Sequence, residues 1–169
     1  MRRGCLPGIM VILLTSACSK SGPTVVGGEV ALRLDPQTAA TITVPEGTTL
    51  PDSATATANG QLVGHCVLGE SATDVELERT ANGDASVTGF AWFRMHLDSP
   101  DAPHVARVLA DYDGELFEAD CDVDAFARSR DDGVLDVSIE SCELLAPTPS
   151  GNATTTIDVD LAFDGCRDH

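Results

Sequence analysis

Apolar side chains recur at every second position along most of this chain, and turns rich in Asn, Asp, Gly and Pro break the runs. A period of two puts successive side chains on opposite faces of an extended strand. A chain written this way folds as sheets built from hairpins rather than as packed helices. Val30, Leu32 and Leu34 alternate, and beyond Asp35-Pro36-Gln37 so do Ala40, Ile42 and Val44, which predicts a first hairpin followed by a loop over residues 45–52.

The turns set the pairing. Asn59-Gly60 predicts a tight turn between strands over 53–58 and 61–68, because both central positions of such a turn favour residues that accept positive φ. At Asn82-Gly83 a two-residue loop would oppose Glu78 to Val87 and mix the faces. A three-residue loop opposes Leu77 to Val87 and Val75 to Gly89, so the longer loop is expected. Asp113-Gly114 predicts the clearest hairpin, pairing Tyr112 with Glu115, Ala110 with Phe117, Val108 with Ala119 and Ala106 with Cys121. Arg107 then faces Asp120 across the strands.

Further strands are expected over 86–97, 134–144 and 154–163, with proline-bearing loops over 98–104 and 145–152. Between Asp122, a candidate N-cap, and Gly133, a helix of about two turns would place Val123, Phe126 and Ala127 on one face. The expected fold is all-β: a sandwich or flattened barrel of about ten short antiparallel strands, with one short helix.

The first residues carry an address. Arg2 and Arg3 precede an apolar run of roughly ten residues, and the small residues Thr15, Ser16 and Ala17 lead to Cys18. Charge, apolar run and small residues in that order describe a secretory signal, and the run is too short for a spanning helix of about 20 residues. Leu14-Thr15-Ser16-Ala17-Cys18 resembles the lipobox of bacterial lipoproteins, departing from it where Thr15 stands in place of the usual Leu. The competing reading is an ordinary cleaved signal beside a chance cysteine. The resemblance implies a diacylglyceryl group on Cys18, cleavage just before it, and usually acylation of the new amine. Residues 1–17 are then a signal peptide, 18–28 a lipidated and flexible tether, and 29–169 a single β-rich domain. Ser19 follows the cysteine. In Gram-negative lipoproteins an Asp there often retains the protein in the inner membrane, so its absence favours the outer membrane where there is one. The domain is also similar in layout to the small mycobacterial lipoprotein antigen family. There too a tethered β-domain ends on a cysteine-bearing strand, as Phe163-Asp164-Gly165-Cys166 does here, although the four cysteines of this domain exceed that family's usual pair.

Removal of Arg2 and Arg3 leaves 8 basic against 27 acidic side chains, near −19. Such a field repels nucleic acid and anionic headgroups and favours cationic partners. With Cys5 in the signal and Cys18 lipidated, Cys66, Cys121, Cys142 and Cys166 make an even set, which in an exported chain reads as two disulfides. Zinc is disfavoured by the wide spacings. Cys121 ends one strand and Cys142 a nearby one, which favours Cys121–Cys142 with Cys66–Cys166. Cys142 is out of phase with Leu135, Val137 and Ile139, however, and this keeps Cys142–Cys166 as a rival.

Two sets of residues invite a ligand. Asp120, Asp122, Asp124 and Asp131 fall at positions 1, 3, 5 and 12 of a calcium loop, but Ala125 stands where glycine is required and Asp131 where a bidentate Glu belongs. Helix capping explains Asp122 and Asp124 equally well. On the strand over 86–97, Val87, Ala91, Phe93, Met95 and Leu97 form a core face, and Phe90, Trp92 and Arg94 lie on the other. Aromatic groups on an outward face can stack on a sugar or grip a peptide; burial under loops is the plainer reading. His65, His96, His104 and His169 are scattered, and no nucleophile elbow, metalloprotease or phosphate-loop motif occurs, so no catalytic residue is assigned. The expectation is a non-enzymatic binding or structural module, anchored to the membrane by its lipid, with an envelope protein or glycan as partner. No cofactor is assigned beyond calcium, and the alternatives are a calcium-dependent adhesion module on these aspartates or a small-ligand or glycan binder on the aromatic face.

Overall fold

The computed structural model describes residues 25–35, 38–51, 56–81, 86–98, 103–148 and 151–168. Eleven strands and no helix occur among them: β1 (Val25–Asp35), β2 (Thr38–Thr49), β3 (Leu62–Leu68), β4 (Thr73–Arg79), β5 (Phe90–Leu97), β6 (Val105–Tyr112), β7 (Glu115–Asp122), β8 (Ala125–Ser129), β9 (Val134–Thr148), β10 (Gly151–Asp164) and β11 (Arg167–Asp168). They form one curled sheet in the order β11-β3-β4-β5-β6-β7-β9-β10-β1-β2, with β8 paired to β9 off this path. All pairs are antiparallel except the two-residue β11 on β3. The all-β expectation holds.

The sheet curls until its ends approach. Arg79 donates from β4 to the carbonyl of Thr41 in β2 at 3.4 Å. Arg128 of β8 donates to Thr73 Oγ1 at 2.8 Å and to the Gly69 carbonyl at 3.1 Å. One continuous core fills the interior, with Leu32, Ile42, Leu77, Phe93, Val108, Leu135, Leu144, Ile157 and Phe163 drawn from both halves. The disulfide Cys66–Cys166 ties the segment after β10 to β3, and Cys121–Cys142 ties β7 to β9. These are the two favoured pairings; Cys142–Cys166 is excluded.

A bulge in β9 removes the phase problem at Cys142. Ile157 opposes Cys142 while Val159 opposes Ile139, so Glu140 and Ser141 share one partner, Asp158. Ser141 takes a positive φ of 53°, and its amide donates to Asp158 Oδ1 at 2.8 Å. Odd residues up to Ile139 point inward; after the extra residue the even ones do, burying Leu144 and Ala146 and aiming Cys142 at Cys121.

The β6–β7 hairpin has the predicted register throughout. Asp113 and Gly114 both take positive φ, 51° and 82°, as a two-residue turn matched to strand twist requires. The first hairpin is also as expected, with Val30 opposite Ile42 and Leu32 opposite Ala40.

Several expectations are corrected. β4 and β5 pair six residues further along than predicted, with Leu77 opposite Phe93 and Val75 opposite Met95. An even shift leaves the same face inward, so apolar parity could not separate the two registers. The observed one also sets Glu76 opposite Arg94 and Asp74 opposite His96. β5 starts at Phe90 rather than Ser86, and the Asn82-Gly83 turn lies outside the described residues.

The expected helix is the strand β8, whose Phe126 pairs with Val137 of β9. A neighbouring strand that satisfies the backbone outweighs local helix signals over so short a stretch. The predicted loops over 45–52 and 145–152 largely dissolve into longer strands, and residues 56–58 before Asn59 are not strand. Finally, Val25 to Gly28, read as tether, belong to β1, so the domain starts earlier than residue 29. The signal and Cys18 lie outside the described residues.

Candidate functional site

The outward face of β3 to β7 carries most of the polar chemistry that can be described. Cross-strand register lines it up in rows. One row runs His65, Glu76, Arg94, Leu109, Glu118, Leu145; the next runs Asp74, His96, Arg107, Asp120. Opposite charges placed directly across neighbouring strands attract. Arg94 Nη2 bonds Glu76 Oε1 at 2.8 Å, His65 Nε2 lies 3.5 Å from Glu76 Oε2, and Arg107 Nη2 bonds Glu118 Oε2 at 3.0 Å.

The predicted platform is only partly brought together. A bulge between Phe90 and Trp92 changes the phase of β5, so Phe90 is buried at 4% exposure in the core and leaves the outward face. Trp92 and Arg94 do share that face. The Arg94 guanidinium lies 4.8 Å from the centre of the Trp92 ring, a cation–π contact held in place by Glu76. The half-buried indole therefore has one face covered by a fixed cation.

His96 sits between two carboxylates: Nδ1 is 2.5 Å from Asp74 Oδ1 and Nε2 is 2.8 Å from Asp98 Oδ1. The hydrogen bond that the ring donates to Asp74 foremost, and the one it donates to Asp98, hold its pKa above the ordinary imidazole value, against the opposing effect of partial burial. With both ring nitrogens engaged by carboxylates, His96 has neither free to activate a hydroxyl or thiol. Val123 N–H donates to the carbonyl of His104, just before β6, at 3.1 Å.

The four aspartates proposed for calcium do not converge. Asp120 and Asp122 lie on β7. Asp124 follows it and accepts the Glu140 amide at 2.6 Å through Oδ2. Asp131 lies in the turn beyond β8, and the five residues of that strand carry the chain about 16 Å away. The segment is extended strand, whereas a calcium loop winds its ligands around the ion. Among the described residues no group of three or more His, Cys, Asp or Glu side chains is placed to hold a metal ion.

A second feature of this face was not legible in the sequence. β7 and β9 share a single register pair, Glu118 with Leu145. Beside it, concave surfaces of about 370 and 390 Å³ meet at Glu118 and Pro147, one reaching Asn152 and the other Leu116. Leu116 and Leu145 are 44% and 42% exposed. Comparison of the chain with protein-family models, with curated proteins and with solved structures finds no match.

Proposed function

We propose that this protein is a lipid-anchored β-domain of the bacterial cell envelope, held by an acylated Cys18 and acting as a non-catalytic binding or structural module. The observation that carries the reading is the order of Arg2 and Arg3, a short apolar run, small residues and Cys18, followed within seven residues by the first strand at Val25. Two disulfides agree with an oxidising compartment outside the cytoplasm. A further reason to favour anchoring is geometric. Seven residues reach at most about 25 Å even when fully extended, so a lipid on Cys18 holds the Val25 end of the domain close to the bilayer. The likeness in layout to mycobacterial lipoprotein antigens points the same way and adds no partner.

Intact mass of the membrane-extracted protein tests this. The expected species starts at Cys18, is heavier by two or three acyl chains, and gains four hydrogens on reduction. A lipid-free chain would make the protein a soluble secreted one and refute the anchor.

A further inference from the structure

The concave seam between β7 and β9 has a floor, a rim and a position in the fold. Leu116, Leu145 and Pro147 form an apolar floor on the outward face, and half-buried Leu109 of β6 and Trp92 of β5 stand one and two strands beyond it on the same face. Isolated exposed leucines are ordinary; two of them in adjoining concavities that share a proline are a patch. Pro147 has no amide proton and extrapolates in register to Leu116, so the β7–β9 ladder does not close over the patch.

The rim is acidic. Asp113, Glu115, Glu118 and Asp120 surround the floor, and Arg107, paired to Glu118, is the one cation among these lining groups, which leaves about three net negative charges. The patch also sits at the far end of the domain. β9 and β10 pair Val134 with Asp164 beside Val25, and Pro147 with Asn152 at the opposite end. β1 spans the 11 residues between these ends, about 33 Å.

We infer that this seam docks an extended polypeptide segment in which apolar side chains alternate with Lys or Arg. Apolar side chains on the segment's inner face fill the floor between Leu116 and Leu145, and the long cationic side chains, which leave from its outer face, reach back past its edges to the acidic rim. The inference deepens the binding-module reading and takes its orientation from it: an anchor at the Val25 end presents the seam away from the bilayer. A second copy of this acidic chain does not suit the rim, because the two fields repel.

The test uses the oxidised full chain in detergent and the synthetic peptide Ac-KLKLK-NH2, read by emission of the protein's single tryptophan, Trp92, and by calorimetry. The expected result is saturable binding that weakens with salt. It should fall by about tenfold or more in L116S/L145S, the cost of losing roughly one apolar contact's worth of affinity, and should be unchanged in V134S, which removes an exposed apolar residue elsewhere. Equal binding of Ac-KSKSK-NH2, no effect of L116S/L145S, or no binding of Ac-KLKLK-NH2 would each overturn the inference. Intact mass decides the anchor independently, so the two readings fail separately.

Discussion

Removing each disulfide separately gives a ranking that follows from the topology. Cys66–Cys166 closes a loop of 100 residues and Cys121–Cys142 one of 21. Loop-closure entropy in the unfolded chain grows with the logarithm of loop length. It amounts to about 4.7 kcal/mol for the longer loop and about 3.3 kcal/mol for the shorter. C66A/C166A should therefore lose about 1.4 kcal/mol more than C121A/C142A. Each double variant replaces one fully buried and one less buried sulfur, Cys66 with Cys166 and Cys121 with Cys142, so the cavity costs are similar and largely cancel in the comparison. Guanidinium unfolding followed by Trp92 emission measures both, with m-values compared to show that the denatured chain expands alike. The reverse ranking would refute the reasoning. It would mean that Cys121–Cys142 acts mainly on the folded state, by clamping the seam that a single β7–β9 pair otherwise joins.

Three more outcomes are expected. Deleting Ser141 should unfold the protein or abolish the Cys121–Cys142 bridge, because it removes the bulge and turns Leu144 and Ala146 toward solvent; a cooperative unfolding transition with both disulfides intact would contradict this. Gly28→Ala should cost about 3 kcal/mol or more in denaturant unfolding, since φ there is 119° and a Cβ would meet the Asp160 carbonyl at 2.1 Å. The folded pKa of His96 is raised, so its contribution to stability is complete below the unfolded value of 6.5 and fades as pH rises through the folded value. His96→Gln should accordingly be less stable than the parent near pH 6 and approach it near pH 9, and a gap of equal size at both would count against the Asp74–His96–Asp98 linkage.

Much of the sheet was legible because strand physics is local and periodic. Alternation at Val30, Leu32, Ile42 and Val44, and the Asp113-Gly114 turn, each fix a face or a register with information held within a dozen residues. Strand order favoured the observed disulfide partners, but Cys142–Cys166 stayed a rival until the bulge at Ser141 accounted for the phase of Cys142. The β4–β5 register did not, because a six-residue slip keeps the same side chains inward, and only the charge pairs on the other face distinguish the two.

The candidate site was less legible, and bulges are the reason. One extra residue near Ala91 takes Phe90 out of the proposed platform, and one at Ser141 turns Cys142 to its partner. A bulge is a property of two paired strands, so neither sequence segment announces it alone. The Asp120 to Asp131 spacing matches a calcium loop in sequence, but pairing of Phe126 with Val137 holds the intervening chain extended. The sequence by itself determined the all-β class, the Asp113-Gly114 hairpin and the acidic composition, since each depends on residue type and short-range order. Only the tertiary structure decided the seam of Leu116, Leu145 and Pro147, because those residues come from strands whose pairing closes over some thirty positions of intervening chain.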